Sequence, residues 1–328
     1  GILMARTIFR YGYSAWLLLK NFALNQLDPP VVILFYHRVA ELASDPQSLA
    51  VTPANFRSHM EFLKNNFPVI RLEDNWSVVK EPSVVITFDD GYADNVLEAM
   101  PILEDVGLPA TFFITTGVIG SQNGFWWDEL EFIILADRVF PDLFSLIDSR
   151  YGMSWKTNNA AERYKMYQEL HLLMKKVDVH IREDWIKQLR EWIQAGDSFN
   201  MVNRPMTIDE LRSLASSPLV TIGAHTVTHT PLSSLSFKCQ REEIMASKKW
   251  LEEHLGCEIL VFSYPFGGRS DYNKESVLIC KNAGFNRVAA AIRGPAHRSA
   301  SPYQLPRQLV RNWPIEVFIK KMEWFWLL

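Results

Sequence analysis

Two aspartates stand side by side, Asp89 and Asp90, in the run Thr87-Phe88-Asp89-Asp90-Gly91-Tyr92 directly after the apolar stretch Val84-Val85-Ile86. A short apolar, β-branched run reads as a buried strand, so both carboxylates fall at its C-terminal end. Two carboxylates pressed together in a partly dry place are costly unless a cation or hydrogen bonds compensate. Alone, the pair also reads as a turn, because Asp-Gly often ends a strand. A second strand-like run, Val220-Thr221-Ile222-Gly223-Ala224, leads into His225-Thr226-Val227-Thr228-His229. Two imidazoles four residues apart just past a strand end can turn toward one point. With one carboxylate they make a zinc or late-transition-metal set that leaves a position open for water. Together the two runs favour a metal site over a turn and a pair of structural histidines. A third run, Phe262-Ser263-Tyr264-Pro265-Phe266-Gly267-Gly268, carries a strand into a Pro/Gly turn. By itself it says only that backbone N–H groups stand exposed in a tight loop.

Such residues need elements that aim them. Buried strands are predicted at Val31 to Tyr36, Val84 to Phe88, Ala110 to Ile114, Val220 to Ala224, Leu260 to Tyr264 and Val288 to Ile292. Helical spacing fills the intervals. Pro53 opens a helix with Phe56, Met60 and Leu63 on one face; Ala93 to Val106 ends at Gly107; Thr207 caps a third; Ser236 to Leu255 closes at Gly256. Strands alternating with helices imply the α/β class and a parallel sheet, and this many units imply a closed or nearly closed barrel. Active sites of such barrels sit at the strand C-termini, where the motifs fall. From about Ser121 to Arg204 no strand pattern is evident, but Tyr167, Leu170, Leu173 and Ile186, Leu189, Ile193 recur at helical spacing. The expected organisation is a helical segment over residues 1–30 and one domain over 31–328, interrupted by a helical insertion at about 121–204. That insertion reads equally as a cleft wall and as structural padding.

Composition narrows the class. A net charge of −3 and no dense Lys/Arg stripe argue against a nucleic-acid partner. Three cysteines without a CxxC pair argue against a disulfide framework and suit a reducing compartment, hence a cytoplasmic location. Arg6 and Arg10 precede a short apolar stretch, Ala15 to Leu19, broken by Lys20; it is too short to span a membrane. Residues 5–24 read as an amphipathic helix with Phe9, Trp16, Leu17 and Phe22 on one side. It lies either on the protein's own core or peripherally on the inner face of a membrane. The C-terminal Trp324-Phe325-Trp326-Leu327-Leu328 carries the same ambiguity. The 11 Trp serve either as packing or as platforms for sugar rings.

TFDDG, then HTVTH, then a strand ending in Tyr264-Pro265-Phe266-Gly267, in that order, resembles the polysaccharide deacetylase family, the NodB-homology or carbohydrate esterase 4 group. The resemblance covers roughly Val31 to Arg307 apart from the insertion. It implies a distorted (β/α) barrel and a divalent metal, Zn2+ first with Co2+ or Ni2+ as alternatives, held by Asp90, His225 and His229. It further implies Asp89 as general base, and a backbone N–H of the Tyr264-Pro265-Phe266-Gly267 loop as oxyanion donor. The implied reaction is hydrolysis of N-acetyl, or else O-acetyl, groups on a carbohydrate: a surface polysaccharide, or a lipid-linked or nucleotide-linked amino sugar.

Two features depart from the family pattern. The Arg usual two residues before the motif Pro is replaced by Ser263, and the usual C-terminal Leu-x-His is missing. Phe35-Tyr36-His37-Arg38-Val39 instead resembles the circularly permuted poly-N-acetylglucosamine deacetylase branch, in which the first strand supplies the acid. That resemblance assigns the acid to His37, with His297 as the alternative, and leaves Arg307 to take over the missing Arg. His59, His171, His180 and His254 fall in helical stretches and read as structural, Asp94 and Asn95 as helix caps. The competing expectation is a glycan-binding barrel that keeps the metal but has lost turnover.

Overall fold

The computed structural model describes residues 2–150, 152–196 and 201–328, with residues 2–11 described by backbone alone. Its strands are β1 (Val31–Tyr36), β2 (Arg38–Val39), β3 (Ala50–Val51), β4 (Ser83–Phe88), β5 (Ala110–Ile114), β6 (Leu143–Ile147), β7 (Gly152–Lys156), β8 (Val220–Ala224), β9 (Val261–Ser263), β10 (Arg287–Ala289) and β11 (Gln308–Leu309). Its helices are α1 (Ile2–Leu27), α2 (Pro53–Asn66), α3 (Met100–Val106), α4 (Trp126–Ile134), α5 (Ala160–Lys176), α6 (Val179–Trp192), α7 (Ile208–Ser216), α8 (Phe237–Leu255), α9 (Lys274–Asn282) and α10 (Ile315–Phe325).

Seven strands pair in parallel in the order β10-β9-β8-β5-β4-β1-β11. The runs of β1, β4 and β5 are buried along their whole length, as strands covered on both faces must be. The segment leading into β11 joins the two edges. Val288 N donates to Pro302 O and Ala290 N to Leu305 O, while Gln308 and Leu309 pair with Leu34 and Phe35 of β1. The sheet is thereby curled into the distorted (β/α) barrel of the NodB type. Ile33, Val85, Phe113, Val261, Ala289 and Leu305 meet in one cluster, with Leu72 and Trp76 joining them. Burying each large aliphatic side chain there is worth about 1.5–3 kcal/mol. Gly223 has a steric reason: a Cβ would lie 2.5 Å from the Phe113 ring and 2.9 Å from Val261, so only glycine admits them.

Helix signals act where the sequence places them. Thr52 caps α2 by accepting from Asn55 N, and Phe56, Met60 and Leu63 turn inward with His59. Ser236 caps α8, which ends at Gly256 with φ 67°. The predicted helix over Ala93 to Val106 is divided into a π-turn at Asn95–Ala99 and α3. Pro101 explains the division, since it lacks an N–H and its ring would crowd the carbonyl four residues back.

Residues 117–208 form one compact unit, and residues 1–116 with 209–328 form another. The expectation that this stretch holds no strand is corrected: β6 and β7 form an antiparallel hairpin. Its alternation is short, with Phe144 and Leu146 buried between exposed neighbours, and Trp155 buried on β7. Five residues of period two are easily submerged in a helix-rich context. Trp126, Trp127 and Trp185 are buried here, so they serve as packing.

Candidate metal centre and catalytic site

Asp89 and Asp90 follow the last residue of β4, and the backbone around them is pinned from both sides. Asp89 N donates to Tyr36 O of β1, and Thr115 N donates to Asp90 O from beyond β5. Asp90 has φ 86° and Gly91 φ 106°, so the chain turns sharply at once. Aspartate tolerates the left-handed region better than most residues but still pays strain of order 1–3 kcal/mol. The His225–His229 loop is strained likewise, with Thr226 at φ 67° and His229 at φ 57°. Glu243 of α8 holds it open by accepting from Val227 N (2.8 Å), Thr228 N (3.0 Å) and Thr228 Oγ1 (2.6 Å).

The two turns bring Asp90, His225 and His229, all buried, to one point, with one ligand atom from each within 4.8 Å of the others. Asp90 Oδ1 lies 3.0 Å from His229 Nε2 and 3.4 Å from His225 Nε2. His225 Nδ1 lies 2.7 Å from the Ser263 carbonyl oxygen, which can only accept. The ring proton therefore sits on Nδ1, and Nε2 of a neutral His225 turns a lone pair toward a buried carboxylate oxygen. A cation between them removes that repulsion, so the donor set fits a divalent metal with His225 oriented from behind. Burial works against charge on His225, yet Asp89 and Asp90 outweigh it and raise its pKa. Burial likewise opposes ionisation of Asp90, but the adjoining imidazoles, His229 first, hold its carboxyl well below the usual range.

Asp89 faces Arg307 in a bidentate pair, Nη1–Oδ1 and Nη2–Oδ2 both at 2.8 Å. Arg307 is itself fixed: Nε donates to Ala290 O, Nη1 to Thr87 Oγ1, and the guanidinium lies 4.2 Å over the Phe35 ring. Burial alone would raise the pKa of Asp89, but the Arg307 charge and hydrogen bonds, with His225 and His37, lower it. Arg307 thus stands where the sequence motif lacks an arginine at Ser263. Ser263 contributes otherwise, its Oγ lying 2.7 Å from His225 Nδ1 and 3.4 Å from Asp89 Oδ1.

His37 follows β1 and is partly exposed. Burial of its ring comes first in lowering its pKa, Asp90 and Asp89 pull it back up, and Arg307 and His225 push it down. Its peptide is tied to the turn after Asp90. Asn95 Nδ2 donates to His37 O (2.9 Å), and Asp94 accepts from Val39 N (3.0 Å) and Arg38 Nε (2.9 Å). Asp94 makes no cap hydrogen bond, so its reading as a helix cap is corrected. Its role, missed in the sequence, had one available signal: Asp-Asn four and five residues past Asp90 in the adjoining turn. His297 stands elsewhere. Ala296 bridges Val31 at the start of β1, and His297 Nε2 lies 2.7 Å from Asn25 Oδ1. A six-residue strand is about 20 Å long, which removes His297 from the site.

Within the loop after β9, the sequence expectation for Tyr264 is corrected. Its N–H donates to Ala289 O, and its buried ring stacks on Tyr272 and sends its hydroxyl to Tyr303 O. Pro265 has no N–H. Of the four expected loop residues, an oxyanion donor can come only from Phe266 or Gly267. Phe266 (φ 63°) packs its ring 4.7 Å from that of His229. Gly267 (φ 71°) is obligatory, because a Cβ would sit 2.7 Å from Ala291 N. Outside the site, His59 is buried between Tyr36 Oη and Trp313 O, and burial pushes its pKa down to about 4. His254 stacks on Trp250.

Comparison with known proteins matches this geometry to a family. The polysaccharide deacetylase model matches residues 77–146 and 153–288, more than half of the chain. YxkH of Bacillus subtilis (strain 168), named for the same family, is 24% identical over 282 residues, covering 84% of this chain and 69% of its own. The solved Streptococcus pyogenes deacetylase PplD, in complex with acetate, has the same fold at 16% identity and TM-score 0.58, over 90% of this chain and 99% of that one. IcaB from Ammonifex degensii has it at 16% identity and TM-score 0.57, over 91% and 97%. The chain belongs to the polysaccharide deacetylase family.

Proposed function

We propose that this protein is a metal-dependent hydrolase that removes N-acetyl groups from a carbohydrate. The observation that carries the reading is the buried Asp89–Arg307 pair beside the converging Asp90, His225 and His229. A divalent cation held there, Zn2+ first with Co2+ or Ni2+ as substitutes, supplies Lewis-acid polarisation of the acetyl oxygen and lowers the pKa of water toward ~7. Asp89, kept ionised and aimed by Arg307, accepts a proton from the water whose oxygen attacks the acetyl carbon. The N–H of Phe266 or Gly267 faces the developing oxyanion. As the C–N bond breaks, His37 gives its proton to the leaving nitrogen, and the products are acetate and a free amine. The burial and the Arg307 charge that lower the His37 pKa make its protonated form a strong donor, while both carboxylates supply counter-charge. The intact base and its arginine also weigh against a barrel that binds glycan without turnover.

The three cysteines stand unpaired, two of them exposed, which supports a reducing, cytoplasmic setting. That favours a lipid-linked or nucleotide-linked amino sugar over an extracellular polymer. The test is acetate release from an acetylated chitooligosaccharide. Protein stripped by chelator is expected to be silent and to recover with Zn2+ or Co2+; full activity after stripping contradicts the metal-dependent reading.

A further inference from the structure

α1 keeps a large apolar face turned outward. Its polar side chains Asn21 and Asn25 face the protein and donate to Leu327 O (2.7 Å) and Trp326 O (2.9 Å) at the end of α10. Its outward side carries Tyr13, Trp16, Leu19, Phe22 and Leu27, between 54% and 83% exposed. A surface helix ordinarily does the reverse, so this face is finished for an apolar contact. Its charge says which. The chain carries −3 overall, but residues 1–27 hold Arg6, Arg10 and Lys20 and no acidic residue. Asp28, the first acid, is turned inward to Arg298 and Ser299. Lys20 Nζ stands 5.0 Å over the Trp16 ring, an ammonium and an indole paired at the rim of the face. α10 adds exposed Trp324, its exposed Lys320 and Lys321 being matched by Glu316 and Glu323, so the cationic excess belongs to α1. A second copy of this face would bring like charges together with no carboxylate on α1 to pair them. Among the described residues no helix is long and apolar enough to cross a membrane. We propose that the outward face of α1 lies on an anionic lipid surface, its Trp and Tyr at headgroup depth and its cations against lipid phosphate.

The test is flotation of the full chain with vesicles of phosphatidylcholine alone and of phosphatidylcholine with phosphatidylglycerol. The protein is expected to float with the anionic vesicles and to be released by raised salt. Trp16→Glu combined with Leu19→Glu is expected to weaken partitioning by about ten-fold or more while melting as the parent does. Lys20→Glu, a change at an exposed position, is expected to weaken binding to the anionic vesicles alone. Failure of the parent to float overturns the proposal. So does a double variant that floats undiminished, or a parent that is a lipid-indifferent dimer which the double variant dissociates.

Discussion

At the scale of single residues, the site rests on one charge pair and one lone pair. Arg307 is the group that keeps Asp89 ionised in its buried position. Replacing it by Met leaves a buried carboxylate uncompensated, which costs about 3–5 kcal/mol of stability. The folded-state pKa of Asp89 is depressed in the parent, so its carboxylate stays ionised to low pH. In Arg307→Met that depression is lost, and the acid limb of kcat/KM against pH moves to higher pH; a limb that stays in place means Arg307 does not tune the base. His37 is separable from it by leaving-group chemistry. An alkoxide leaves with little help, whereas an amine must be protonated. His37→Ala is therefore expected to lose about 100-fold or more on an acetamide and much less on an acetyl ester. Equal losses on both substrates would assign His37 a role other than proton donor.

At the scale of elements, each side chain to which the proposed reaction gives a role is aimed by a neighbour that carries no chemistry. The left-handed residues Thr226 and His229 are held by Glu243 reaching across from α8, and His37 is held by Asp94 and Asn95 from the turn after β4. Glu243→Ala orphans the Val227 and Thr228 amides and lets the loop relax. Zinc affinity, measured by competition with a chelator, is expected to fall by about 10–100-fold with Asp90, His225 and His229 intact. Unchanged affinity would show that the loop keeps its shape unaided. The motif strands could be read from sequence because they are unbroken apolar runs: β1, β5 and β8 begin and end where the pattern does. What supports them could not. Glu243 lies in an amphipathic helix where a glutamate on an exposed face is ordinary, and its contact is made only in three dimensions.

At the scale of the whole molecule, the barrel is closed by its least legible part. β11 is two residues long and its approach, Pro302 to Pro306, has no strand pattern, yet it joins β10 to β1 and delivers Arg307 to Asp89. The fold class followed from alternating strands and helices; the closure depends on pairing at long range, which local pattern does not encode. The hairpin in residues 117–208 escaped for the related reason that its strands are short and single-faced. Topology thus brings Asp89, its partner Arg307 and the converging Asp90, His225 and His229 from β4, β8 and β11 to one end of one sheet. The most direct test is Asp89→Asn, with zinc content and acetate release measured on the same preparation. The amide cannot accept the water's proton, so the variant is expected to hold close to one zinc per chain, melt as the parent does, and retain about 1% of turnover or less. A zinc-loaded Asp89→Asn protein that releases acetate at the parental rate would contradict the assignment of Asp89 as the base.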